Sequence, residues 1–86
     1  MPQISRFFGI IISMYYDDHY PPHFHASYGE FNAEIGINDL AVIEGKLPSR
    51  VLGLVIEWAS QHKEELLDNW TRIEKGVAIE KITPLD

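Results

Sequence analysis

Three of the chain's four histidines and two of its carboxylates fall within nine residues, Asp17-Asp18-His19-Tyr20-Pro21-Pro22-His23-Phe24-His25. Imidazole changes charge near neutral pH, so it can accept a proton, donate one, or offer a lone pair to a metal. His23 and His25 are two residues apart. On an extended strand their side chains share one face, about 6–7 Å apart, while Phe24 points to the other. The double proline fixes the backbone at Pro21 and Pro22 and restricts Tyr20. Such a stiff corner can return His19, Asp17 or Asp18 toward the histidine pair.

Three kinds of chemistry suit this set. Neutral imidazoles plus a carboxylate, drawn from His19, His23, His25 and Asp18, can make a three-ligand zinc site, or an iron site with open positions. The same His19, His23, His25 and Asp18 can do metal-free acid–base chemistry, one imidazole taking a proton while another gives one. That suits cleavage of RNA by its own 2′-hydroxyl, with Arg6 or Arg50 facing the phosphate charge. Histidines flanked by aromatics can also simply lock a turn by bonding a carbonyl or a carboxylate. The residues leave all three open. No cofactor is required by the sequence, and a divalent ion such as zinc or iron is the one the set would accept.

The elements that must position this stretch are strands first and helix second. Arg6, Phe8, Ile10, Ile12, Met14 and Tyr16 alternate with Phe7, Gly9, Ile11, Ser13 and Tyr15, which predicts one strand over 6–16 with a strongly apolar face. His23–Tyr28 and Phe31–Ile37 follow on either side of a Gly29-Glu30 turn, and Ala41–Glu44 reads as a short fourth strand after Asn38-Asp39. Leu52, Val55, Ile56, Ala59, Leu66, Trp70 and Ile73 then fall on a helical stripe from Ser49 to Lys75. Pro48 suits its first turn and Gly76 the position just past its end. The polar stretch Ser60–His62 allows a kink. The tail predicts a short edge strand at Ile79–Ile82. The expected fold is α+β: an antiparallel meander of three to four strands against a long C-terminal helix, with that edge strand added.

Composition limits the remaining choices. At 86 residues the chain makes one domain, 1–86, with a thin core. It has no cysteine, so neither a disulfide nor a thiolate metal site can support it, which fits the cytoplasm. Seven basic against thirteen acidic residues give a net charge of −6, which argues against an extended DNA-binding surface. The apolar run Phe7–Tyr16 is too short to cross a membrane and is followed by no small-residue cleavage site, so the expectation is a soluble, untargeted protein. Of Trp58 and Trp70, one is expected in the core and the other on the surface as a partner anchor. His62 reads as solvated, and Glu57, Glu64, Glu65 and Asp68 as an acidic helix face.

The strings MPQISRFFGI, DHYPPHFH and Tyr28-Gly29-Glu30 resemble the small bacterial family described as domain of unknown function 4160. The match continues through Gly45–Pro48, Glu57-Trp58-Ala59, His62, Glu65-Leu66, Asn69-Trp70, Ile82 and Pro84-Leu85, so it covers nearly the whole chain. The resemblance implies a component of a two-gene toxin–antitoxin module, more in keeping with the toxin, with a small cognate partner encoded by an adjacent gene. A non-catalytic, antitoxin-like binding module is the competing expectation. An unpaired strand edge also suits a homodimer.

Overall fold

The computed structural model describes residues 3–86; Met1 and Pro2, which open the family-like string, lie outside the described residues. Five strands form a single antiparallel sheet in sequence order: β1 (Gln3–Phe7), β2 (Ile10–Ser13), β3 (His23–Tyr28), β4 (Phe31–Gly36) and β5 (Val42–Lys46). Two helices follow, α1 (Ser49–Gln61) and α2 (Lys63–Lys75). The α+β meander is as expected, and it has one strand more.

The extra strand comes from the first apolar run, which is a hairpin rather than one strand. Phe8 and Gly9 both take positive φ, 50° and 78°, which is the geometry of a tight two-residue hairpin turn. Glycine adopts it freely, and Phe8 is carried into it and left exposed. The chain therefore turns back, so that Phe7 pairs with Ile10 and Arg6 with Ile11. Ile10, Ile12 and Met14 still share the buried face, now joined by Ile4 and Phe7.

The core lies between that face and the helices. Phe24, from β3, meets the ring of Trp58 edge-on at 5.9 Å, and Phe7 meets the same ring at 5.5 Å. Trp58 and Trp70 are both buried, so neither is the surface anchor expected of one of them. The helical stripe breaks at His62, whose backbone (φ −127°, ψ 26°) ends α1 and begins α2. Glu65, three residues on, bonds His62 Nδ1 at 2.6 Å, and the His62 ring lies 5.6 Å from Trp58. His62 thus closes a joint between the helices instead of standing in solvent. Gly76 takes left-handed φ at the end of α2, with its N–H on Ile73 and that of Val77 on Arg72, a glycine C-cap that satisfies the last carbonyls.

The tail forms no strand. It is tacked along the edge of β1 by one backbone bond, Ile82 N–H to Ile4 O at 2.8 Å, and held by side chains. Asn69 donates to Glu80 O and accepts from Glu80 N–H, both at 2.9 Å. Trp58 Nε1 donates to Thr83 O at 2.8 Å, and Tyr16 Oη to Val77 O at 2.8 Å. No helix among the described residues is long and apolar enough to cross a membrane.

Candidate functional site

The segment between β2 and β3 carries Asp17–Pro22 around a corner in which the Tyr20–Pro21 peptide is cis. Asp18 ends a turn, its N–H on Tyr15 O at 3.2 Å and its carboxylate accepting the Tyr15 N–H at 3.1 Å. That brace turns Asp18 back over the start of β3. His23 and His25 stand on one side of β3, their rings 5.2 Å apart.

His25 Nε2 lies 3.0 and 3.2 Å from the two oxygens of Asp18. A carboxylate can only accept, so this imidazole carries its proton on Nε2. Tyr15 packs against its ring edge-on at 4.7 Å. His23 holds the opposite tautomer. Its Nδ1 is 2.8 Å from Pro21 O, and since a carbonyl cannot donate, Nδ1 bears the hydrogen. Its Nε2 is then a lone pair when the ring is neutral. That lone pair faces Asp18 Oδ1 at 3.6 Å and Glu34 Oε1 at 3.6 Å. His23 is 5% exposed and lies under the indole of Trp70 at 5.4 Å, while Glu34 is half-buried on the wall of an open cavity, so water relieves this meeting of lone pairs only in part. A cation or a proton between them would do the rest.

One ligand atom from each of Asp18, His23 and His25 lies within 4.8 Å of the other two. Around an ion bound at about 2.0–2.1 Å, neighbouring ligand atoms stand roughly 3.0–3.4 Å apart. The edges at Asp18, 3.0 Å to His25 and 3.6 Å to His23, are near that range. Two imidazoles and one carboxylate on one side of an ion, with further positions open, is the donor set of mononuclear iron sites and also accepts zinc. The carbonyl on His23 Nδ1 is the usual outer partner of a metal-bound histidine, fixing both tautomer and ring angle.

The cluster stands between two cavities. One, of about 420 Å³, lies on the outer sheet face and is lined by Ser13, Tyr15, His25, Ser27, Asn32 and Glu34 among others. The second, of about 400 Å³, opens at the proline corner, with Asp18, His19, Tyr20, His23, Glu34 and Ile43 on its walls. Glu34 borders both. It was not among the residues singled out from sequence, although the signal was there: a turn at Gly29-Glu30 sets β3 against β4 so that His25 pairs with Glu34.

The structure brings together Asp18, His23 and His25 and sets the other candidates apart. His19 is exposed on the corner cavity and outside the ligand group, and Asp17 is exposed beside it. Arg6 pairs with Ile11 on the outer face, two strands and one row away from His25. Arg50 is exposed in the first turn of α1 and lines neither cavity. No cation among the described residues forms an ion pair with Asp18 or Glu34 other than the histidines themselves.

A family model described as a domain of unknown function, DUF4160, matches residues 9–71. The matched segment holds the whole cluster, Glu34 and all but the end of the helical half, and stops before the tail. No curated protein and no solved structure gives a match.

Proposed function

The chain belongs to the DUF4160 family, and we propose that in it Asp18, His23 and His25 bind one divalent transition-metal ion, zinc or iron, at a centre with open coordination positions. The observation that carries this reading is the His23 Nε2 lone pair, aimed by the Pro21 carbonyl at one carboxylate oxygen each of Asp18 and Glu34. Asp18, His23 and His25 would each supply one donor to such an ion. Its binding would displace the proton now shared by His25 and Asp18, moving the His25 hydrogen to Nδ1. Such an ion acts as a Lewis acid and lowers the pKa of a bound water. Glu34, which borders both cavities and lies 3.6 Å from His23 Nε2, would be the base for that proton, and hydrolysis would be the reaction class.

The test is equilibrium dialysis of untagged protein against zinc or ferrous ion. One equivalent should be retained by the wild type, with affinity lower by about 100-fold or more in His23→Ala and in His25→Ala. A wild type that retains none, or variants that bind as well as it does, would end the metal reading.

One observation favours a second reading. The Asp18–His25 bond at 3.0 Å resembles a carboxylate that orients a histidine base, which needs no metal. That is the form in which a toxin-like protein would act on RNA, held in check by its small partner. Glu34, Glu44 and Asp17 around the cavities work against a polyanion. Expression of the gene without its neighbour should arrest growth in this case, with relief by His25→Ala. Unchanged growth would remove it.

A further inference from the structure

Resting on the metal reading of Asp18, His23 and His25, we propose that the site's substrate is an amide carrying a basic side chain, and that Glu44 selects its positive charge. The cavity of about 420 Å³ beside His25 is bordered by two carboxylates, Glu34 and Glu44, and by no lysine or arginine. The two are direct partners across β4 and β5. Like charges facing each other across strands repel. Glu34 has the His23 ring at 3.6 Å, whereas the Glu44 side chain has no ion pair or hydrogen bond among the described residues. A cation from a ligand would relieve the repulsion where the protein supplies none.

Ser13 sets this cavity apart from a merely acidic surface. It is 4% exposed, it lines the same cavity, and its hydroxyl has no hydrogen-bond partner among the described residues. A buried hydroxyl in that state is completed by a ligand that offers a donor or an acceptor. Ser13, His25, Glu34 and Glu44 form one row, each the partner of the next across four strands. Neighbouring strands lie about 4.8 Å apart, so Glu44 stands about 10 Å from His25 on one side and Ser13 about 5 Å on the other. An amide over His25 can thus meet Ser13 while a long basic side chain reaches Glu44. Glu34, between them, is left to act on the bound water. A guanidinium suits the far end best, because its planar fork of donors matches a carboxylate. An acidic substrate would meet the same two carboxylates with no cation to receive it.

Amide shifts in NMR spectra of the metal-free protein, titrated with chelator present, test the charge selection apart from the metal. The ligands are Nα-acetylarginine amide and its uncharged counterpart of the same shape, Nα-acetylcitrulline amide. The wild type should bind the arginine compound at least about fivefold more tightly, with shifts at Ser13, Glu34 and Glu44. Glu44→Gln should erase that preference by weakening the arginine compound alone. Ser13→Ala should weaken both compounds alike, since it meets the amide they share. Glu44→Gln should melt no lower than the wild type, as the like-charge pair is gone, which shows that the variant is folded. Equal binding of the two compounds, binding of neither, a preference that survives Glu44→Gln, or binding untouched by Ser13→Ala overturns the proposal. Zinc retained in dialysis alongside such a result leaves the metal reading standing. An arginine preference in a protein that retains no zinc removes the metal and the hydrolysis, and keeps the selection by Glu44.

Discussion

Replacing Asp18 by Asn removes one metal donor while keeping most of the local structure, which makes it the sharpest single perturbation of the site. The amide oxygen can still accept the Tyr15 N–H that braces the turn. With that oxygen in the place of Oδ2, the amide nitrogen replaces Oδ1 and meets the Nε2–H of His25, so without metal the bond to His25 at 3.0 Å is lost, at a cost of about 1–2 kcal/mol for a largely buried carboxylate. With metal the difference widens. At free ion 100 times its dissociation constant, the wild type gains about 2.7 kcal/mol. For a domain of this size that raises the melting temperature by about 10–20 °C. If the lost donor weakens binding about 100-fold, the variant gains about 0.4 kcal/mol under the same conditions, or about 2–3 °C. Differential scanning calorimetry with chelator and then with zinc measures both gaps. Equal metal shifts in the two proteins would refute the argument, because Asp18 would then not be a ligand; so would a wild type whose melting does not respond to the ion.

Other predictions test the frame that holds the site. His19→Ala should leave zinc affinity unchanged, since His19 lies outside the ligand group; a loss like that of His23→Ala in the same dialysis would place it inside. Gly45→Ala should cost about 2–4 kcal/mol in urea denaturation, because Gly45 has φ +81° and a Cβ there would stand 2.2 Å from Asn32 O. Wild-type stability in that variant would mean the β4–β5 register is wrong. Asn69→Ala strips both backbone groups of Glu80 of their partner and should cost about 2–3 kcal/mol. Hydrogen exchange should quicken first at Glu80, and an unchanged tail would show that Asn69 does not hold it.

Much of this architecture was legible because the relevant signals are local. Alternation in His23–Tyr28 and Phe31–Gly36, with a glycine turn between, fixes both strands and their register. The helical stripe and Gly76 mark the end of the helical half. The first hairpin was hidden because Phe8-Gly9 lies inside an unbroken apolar run: alternation reads straight through a turn whose flanks are both strand-like, and only the positive φ at both residues separates them. The break at His62 was visible as a polar interruption. Its cause, the Trp58 ring on one side and Glu65 on the other, depends on packing. At the site, the shared face of His23 and His25 follows from period two. That Asp18 joins them, rather than Asp17 or His19, depends on the brace to Tyr15 and on the path of the corner, which spacing does not set. The tail is held by side chains of Asn69, Trp58 and Tyr16 from distant elements, so its own sequence carries little of the reason for its course.

The central claim is that two particular imidazoles and one carboxylate share an ion, and the chain's four histidines make it directly readable. Long-range proton–nitrogen correlation spectra resolve each ring nitrogen and its tautomer. Before metal, neutral His23 should carry its hydrogen on Nδ1 and His25 on Nε2. One equivalent of zinc should shift Nε2 of both and move the His25 hydrogen to Nδ1, while His19 and His62 stay where they were. Shifts at His19 or His62 instead, or no shift at His23 and His25, would contradict the account.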